Sequence, residues 1–431
     1  MAERGPDDEL RAGHGLSRNG RISTAQQVSR RCFMGFGAGL ITGTTRAAAE
    51  GAEFWSGILR QGQPPDRTAP VVSRPRVIAT RMLAPPTAMG EPGAAKFVAG
   101  VRPHRNGGAR IEVSSPIEIE GQRRYVVHNY GHGGAGISMA FGAAERVVSL
   151  VADLLQRDTT LPSGLSIAVL GAGVAGTASA WTIRQRWPQV PVTIYAAETD
   201  PIRTTSWKAG GQFAFASNLT EYGAGQERSL AEQVLARSRS VMDQLGRAGR
   251  HARYGVVQRS SYALDAGAPD VRLSFGTAHH LARSYQSWLI DPQRLLPALG
   301  RDLQSNQVPT ISRRFAERRD IFALAERLVI NCTGLGAGEL FNDRALEGRR
   351  GHLVVLPNVN KTDYFLTGWC GGGETRYLFG RHDDVIIGGT NYFGASATPD
   401  FDPEYSIDNS ACRRLYRSAQ ALFTGTGRLC G

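Results

Sequence analysis

The stretch Gly171-Ala172-Gly173-Val174-Ala175-Gly176 limits what this chain can fold into more than any other. It follows a buried-type run, Ser166-Ile167-Ala168-Val169-Leu170, and opens a helical pattern that lasts to about residue 186. Pro191-Val192-Thr193-Ile194-Tyr195 then reads as a second strand. Strand, glycine turn, helix and strand make a βαβ unit, which demands a parallel sheet covered by helices. The glycines allow a tight turn and close approach to a pyrophosphate, and the helix N-terminus holds its charge. G-x-G-x-x-G alone is a weak signal, but this context makes it a strong one. A dinucleotide is therefore expected against Gly171, Ala172, Gly173, Val174, Ala175 and Gly176. A ribose-binding acid should end the second strand. Ala196 and Ala197 hold the nearest places, and Glu198 is the nearest carboxylate.

A second glycine stretch lies upstream: His128-Asn129-Tyr130-Gly131-His132-Gly133-Gly134-Ala135-Gly136. A β-rich segment, Arg124-Tyr125-Val126-Val127, precedes it, and a long amphipathic helix is expected over residues 137–156. Glycines at such a junction permit backbone conformations and approaches that other residues resist. The helix behind them aims its positive end at whatever fills the space, which suits a planar ligand that gains negative charge, such as a reduced flavin ring. A plain turn would account for the glycines, but not for two histidines, an asparagine and a tyrosine among them. His128 and His132 have the spacing of a metal pair, but they lie in a loop, and no metal is expected.

These residues resemble the D-amino-acid oxidase family of FAD enzymes, which carries a near-identical H-N-Y-G-H-G-G stretch beside its flavin. Several other segments carry the same resemblance. Val98 to Arg110 contains G-x-R-P, where the family's arginine pairs with the substrate carboxylate; here that arginine is Arg102. A guanidinium fork matches a carboxylate in shape and charge. The resemblance puts Gly133, Gly134, Ala135, Gly136, Ile137 and Ser138 on the flavin, with the Gly134 carbonyl toward the substrate amine. Thr204, Thr205, Ala209, Gly210 and Gly211 match the family's T-T-x-x-x-A-G stretch beside phosphate and flavin edge. In the family an acid stands where Ala197 stands here, so Glu198 is the expected substitute. Asn331-Cys332-Thr333-Gly334 matches a turn near FAD, and Phe315 falls at an adenosine contact. Cys332 reads as a buried small residue rather than a nucleophile. Tyr377, in Arg376-Tyr377-Leu378-Phe379-Gly380, takes the place of a tyrosine that donates to the substrate carboxylate. A second lid tyrosine of some members is replaced by Gly373.

The resemblance implies an α/β protein with a Rossmann-like FAD-binding domain and a mixed-sheet, α+β substrate domain. The flavin domain is expected over 125–220 and 295–350, and the substrate domain over 95–124, 221–294 and 351–431. In the family the fingerprint comes first and H-N-Y-G-H-G-G last. The order here is reversed, which reads as a circular permutation, an inexpensive change where chain ends lie close together. The implied activity is oxidation of the C–N bond of a small amino acid, with a D-amino acid expected. Hydride passes to flavin N5, and oxygen is the acceptor, giving an imino acid and hydrogen peroxide. Alternatives are a dehydrogenase feeding a quinone or carrier, a nicotinamide-binding protein, and a non-catalytic flavin-binding protein.

Composition narrows the partners. The 431 residues carry a net charge of +12, almost all of it from arginine, with lysine only at positions 96, 208 and 361. No basic run with interleaved aromatics points to nucleic acid, and no unbroken stretch of 18 or more apolar residues points to stable membrane insertion. The five cysteines show no C-x-x-C or zinc spacing. Ser29-Arg30-Arg31-Cys32-Phe33-Met34 resembles a twin-arginine export signal, followed by a soft apolar run and Ala47-Ala48-Ala49. Residues 1–49 are expected to be that signal, residues 50–94 a linker or arm, and the location periplasmic or secreted.

Overall fold

The computed structural model describes residues 78–91, 93–158, 161, 164–213, 226–264, 268–370, 375–390, 392–395 and 407–426. The segment expected to be an export signal, most of the expected arm and the lid position Gly373 lie outside them.

The βαβ expectation is met by a seven-stranded sheet. Its order is Thr310–Ser312, Val192–Ala196, Ile167–Leu170, Leu328–Asn331, Gln122–Tyr130 and Arg110–Val113, with Ile117–Ile119 paired onto Gln122–Tyr130. The first five strands run parallel. Their apolar residues alternate between two cores, as strands buried on both faces require. Val127, Ile167, Val169, Leu328 and Ile330 join one core with the helices. Val126, Ala168, Leu170 and Val329 join another with Ile321, Leu340 and Phe341.

The helix Gly136–Arg157 packs beside Val174–Arg186 and Gln226–Arg247. It is long and apolar enough to span a bilayer, but most of it is buried inside the protein. Pro292–Ser305 starts on a capping bond, the Asp291 carboxylate accepting from Gln293 N–H at 3.0 Å.

A ten-stranded mixed sheet forms the second layer. Lys96–Arg105 and Leu346–Pro357 pair along ten residues, placing Arg102 opposite Arg349. One face carries Leu353, Phe365, Phe379 and Ile386, with Val98 and Tyr377 against them. The other carries Val354, Leu356, Leu378, Val385 and Ile387 under the C-terminal helix Asn409–Phe423. Asp408 sets the start of that helix by accepting from Ala411 N–H at 2.9 Å.

Three segments fall on the other side of the expected domain boundaries. Arg110–Val113, expected in the substrate domain, is a hairpin return that pairs with Gln122–Tyr130 in the flavin-side sheet. Gln226–Arg247 buries Val234, Leu235 and Met242 in the flavin-side core. Ala79–Met82, expected in the arm, pairs with Val271–Phe275 in the ten-stranded sheet, and Ala88 and Met89 are buried beneath that sheet's helix. The strand Thr310–Ser312 is short, because Asp320 takes the N–H groups of Ala316 and Glu317 into a capped turn just after it.

Gly142 lets two helices touch: a Cβ there would lie 1.8 Å from the Val234 carbonyl oxygen. Gly142→Ala is expected to destabilise the protein by about 1–3 kcal/mol or more. Gly164→Ala, with nothing within 4 Å, is the neutral control. Urea unfolding of the two variants measures the difference.

Candidate active site

Three strand exits lie at one level, where ligands bind in open α/β sheets. The register aligns Leu170 with Asn331, and Asn331 with His128. The turns that follow are residues 171–173, Thr333-Gly334 and the H-N-Y-G-H-G-G stretch. Gly171, at φ +104°, has no room for a side chain: its Cβ would sit 2.4 Å from the Cys332 carbonyl oxygen. Gly176 is equally constrained, with a Cβ 1.8 Å from the Gly171 oxygen. These contacts press the fingerprint helix onto the strand.

Both helices at these turns begin without a side-chain cap on their N-cap residues, Gly173 and Ala135. Neither has an acid in its first turn. Two positive helix ends therefore meet the crevice, the expected cradle for a pyrophosphate and for a ring that gains negative charge. Gly134 is exposed, and residues 171–173 are half-exposed. His132, buried, has an Nε2 with no hydrogen-bond partner among the described residues. This set fits FAD. Val174, Ala175 and Gly176 lie in the first turn of one helix, and Ile137 and Ser138 in that of the other. The Ser138 hydroxyl donates to the Gln212 carbonyl at 3.3 Å.

The remaining cofactor-binding positions divide. Ala197 and Glu198 follow Val192–Ala196 as expected, but the Glu198 carboxylate is engaged by Arg203 at 2.8 Å and by Asp200 N–H at 2.9 Å. Thr204 and Thr205, expected on phosphate, spend their hydroxyls on the Pro201 and Val101 carbonyls at 2.6 and 3.1 Å. The next residue, Ser206, reaches the helix instead: its hydroxyl accepts from Val174 N–H at 3.0 Å. A third hydroxyl in the T-T-S run was the available signal. Phe315, expected at an adenosine contact, lies beside Tyr195, ring centroids 6.2 Å apart. Thr333 folds back onto Asn331, its hydroxyl donating to Oδ1 at 2.8 Å, and Gly334 takes φ +59° near Pro103.

The side expected to meet substrate is built by the ten-stranded sheet. Gly100 lies under Lys208 and Thr205, and Phe379 lies under Gly210, so this sheet face meets the 205–211 segment. Gly211, at φ +100°, joins the two layers; its carbonyl accepts from Ile290 N–H at 2.8 Å. Arg381 adds a bond to the Ala209 carbonyl at 3.2 Å. Arg102 and Tyr377 stand on the same face as Gly100 and Phe379. Tyr377 stacks on Phe379 with centroids 5.7 Å apart. Burial pushes its phenol up, and the charge of Arg102 opposes that, which sets the two groups within electrostatic reach. A backbone bridge between His104 and His132 brings the Arg102 strand against the turn that holds Gly134.

Two glycines missed in the sequence make room for these side chains. A Cβ at Gly351 would lie 2.1 Å from Arg102 Nη2, and one at Gly388 would lie 2.2 Å from Tyr377 Cζ. No sequence signal marks them, since each acts on a side chain from another strand.

A model of the DAO family, described as FAD dependent oxidoreductase, matches residues 166–429. The chain belongs to that family of FAD-dependent flavoenzymes. Over 253 residues it is 31% identical to a D-amino-acid oxidase of Streptomyces coelicolor, covering 55% of this chain and 73% of that one. Over 107 residues it is 30% identical to a D-amino-acid oxidase of Dictyostelium discoideum, covering 25% and 27%. A solved glycine oxidase from Bacillus cereus is similar over 62% of this chain and 83% of its own, at 14% identity and a TM-score of 0.39.

Burial pushes Cys332 up to about 12, so its thiol stays protonated. Among the described residues no cluster of three or more His, Cys, Asp or Glu forms a metal site. Burial also pushes His128 down to about 3 and His132 down to about 4. Asn331 Nδ2 donates to His128 Nδ1 at 3.1 Å, which fixes that ring as neutral. An unfolded histidine takes its proton near pH 6.5, so the unfolded state binds more protons below that value. Stability is expected to be level with respect to these two groups above about pH 7 and to fall from about pH 6.5 toward pH 4. Urea midpoints across that range should lose part of this slope in His128→Asn; an unchanged slope would show that His128 does not contribute to it.

Proposed function

We propose that this enzyme oxidises the C–N bond of a small D-amino acid to the imino acid, with oxygen as the final acceptor and hydrogen peroxide as co-product. The observation that carries this reading is the placement of Arg102 and Tyr377 on the one sheet face that meets the 205–211 segment, beside the Gly134 turn. Curated D-amino-acid oxidases among the relatives support the substrate class.

Each residue has a physical task in this proposal. The Arg102 fork binds the substrate carboxylate, and the Tyr377 hydroxyl donates to the same group. The Gly134 carbonyl accepts from the amine and sets the Cα–H direction. Bound FAD supplies the two-electron acceptor for that hydrogen. Catalysis is then placement and electrostatics, with no acid or base side chain required when the amine arrives neutral. The reversed order of segments supports a permuted form of the family: the family match begins at residue 166, and the strand–turn–helix over 122–157 precedes it. We also propose export by the twin-arginine route, which carries folded, cofactor-loaded proteins; N-terminal sequencing of periplasmic protein tests it.

Anaerobic bleaching of the flavin by a panel of D- and L-amino acids tests the main proposal. At least one D-amino acid is expected to bleach it, with peroxide formed on admitting air. Arg102→Ala should slow the reduction on the order of 100-fold or more at low substrate. Failure of every amino acid would sink the reading, and bleaching without peroxide would replace the oxidase by a dehydrogenase.

Gly351→Ala separates geometry from stability. The clashing atoms are the far end of a flexible arginine, so the fold should tolerate the change while the guanidinium moves. A loss of about 10–100-fold in kcat/KM is expected with little change in Tm. A normal kcat/KM would place the substrate elsewhere.

A further inference from the structure

Arg102 is held from behind. Its Nη2 donates to the carbonyl of Thr390 at 3.2 Å. Thr390 is buried, and it follows Gly389, whose φ of +124° turns the chain there. The Thr390 hydroxyl accepts from the His352 backbone N–H at 2.6 Å and lies 3.4 Å from His352 Nδ1. The His352 ring has no exposed surface. Its Nε2 accepts the Asp408 backbone N–H at 3.1 Å, so the proton of the neutral ring sits on Nδ1, toward Thr390. Asp408 in turn caps the C-terminal helix. His352 also directly follows Gly351, the residue under the guanidinium.

We propose that Thr390 and His352 are positioning residues that fix the Arg102 guanidinium for a carboxylate and tie it to the start of the C-terminal helix. The proposal rests on Arg102 being the carboxylate anchor. An arginine side chain loses much rotamer freedom when it is ordered, so holding it before the ligand arrives lowers the cost of binding. The Thr390 carbonyl can hold it only if Thr390 itself is fixed, and the hydroxyl bond to His352 does that. The His352–Asp408 bond extends the tether to the helix. Removing the hydroxyl would also leave a buried His352 N–H without its acceptor. Neither residue touches the reacting atoms; they act through Arg102.

The test uses the flavin-loaded enzyme and propionate, a carboxylate without an amine, with binding read from the flavin difference spectrum. KM and kcat are measured with the best amino acid. Thr390→Val is expected to weaken propionate binding and raise KM about 5–10-fold, the scale of one lost hydrogen bond. Its kcat and its flavin content should stay near wild type, which general damage would not allow. Thr390→Ser keeps the hydroxyl and should restore both constants. Wild-type affinity in Thr390→Val, or no recovery in Thr390→Ser, would overturn the proposal. Should Thr390→Val not fold, His352→Gln, which keeps an acceptor near the Nε2 position, is compared with His352→Leu. Tighter propionate binding by the glutamine variant supports the tether, and equal affinities overturn it. Arg102→Ala is run alongside. If it binds propionate normally, the anchor reading itself fails. If it loses binding while Thr390→Val does not, only the positioning role fails.

Discussion

The carbonyl oxygen of Cys332 sits where a side chain at position 171 would begin. That contact allows the fingerprint turn to lie directly on the exit of the neighbouring strand, and much of the site follows from it. With Gly171 and Gly176 both stripped of side chains, the helix Val174–Arg186 starts at the level where Leu328–Asn331 ends. Asn331 then reaches across to His128 and aligns the third exit. Two helix ends and three turns open on one side. What the chain offers there is mainly backbone N–H and C=O groups with few ionisable side chains. Such a site has little acid–base chemistry of its own, which suits an enzyme whose cofactor carries the reaction.

The proposed substrate wall works by a different rule. It is a sheet face, so each side chain it presents is fixed by register. Arg102 and Tyr377 come from strands 275 positions apart in the chain but stand on one face, because both strands belong to the same antiparallel array. Gly351 and Gly388 leave the floor under them empty of side chains. A side chain on a strand is held more tightly than one on a loop, and fixed geometry is what the proposed hydride transfer needs.

What the sequence revealed was local. The G-x-G-x-x-G unit and the long helix after Gly136 each declare themselves within about twenty residues, through periodicity and turn chemistry. What it concealed was relational. Thr204 and Thr205 carry hydroxyls of the right kind, yet only the fold reveals that they hold carbonyls while Ser206 reaches the helix end. Gly351 reads as one glycine among 52 until Arg102 is laid over it. The Arg110–Val113 strand was assigned to the wrong layer because its partner is chosen by a hairpin, and the register Ile111 to Asn129 cannot be read from a four-residue run.

The reversed order of segments need not disturb this geometry, and simple lengths explain why. The strand Gln122–Tyr130 has 9 residues, about 30 Å at strand rise. The helix Gly136–Arg157 has 22 residues, about 33 Å at helical rise. The helix therefore returns the chain to the level at which the strand began, which is where Ile167–Leu170 must start. Only a short turn is left to close, and Asp158 at its head is held by the Tyr125 hydroxyl from that same strand. The loop-closure cost of so short a join is small. On the proposed permutation, the old ends were already neighbours across one sheet, so joining them changes the order of the chain without moving the three strand exits.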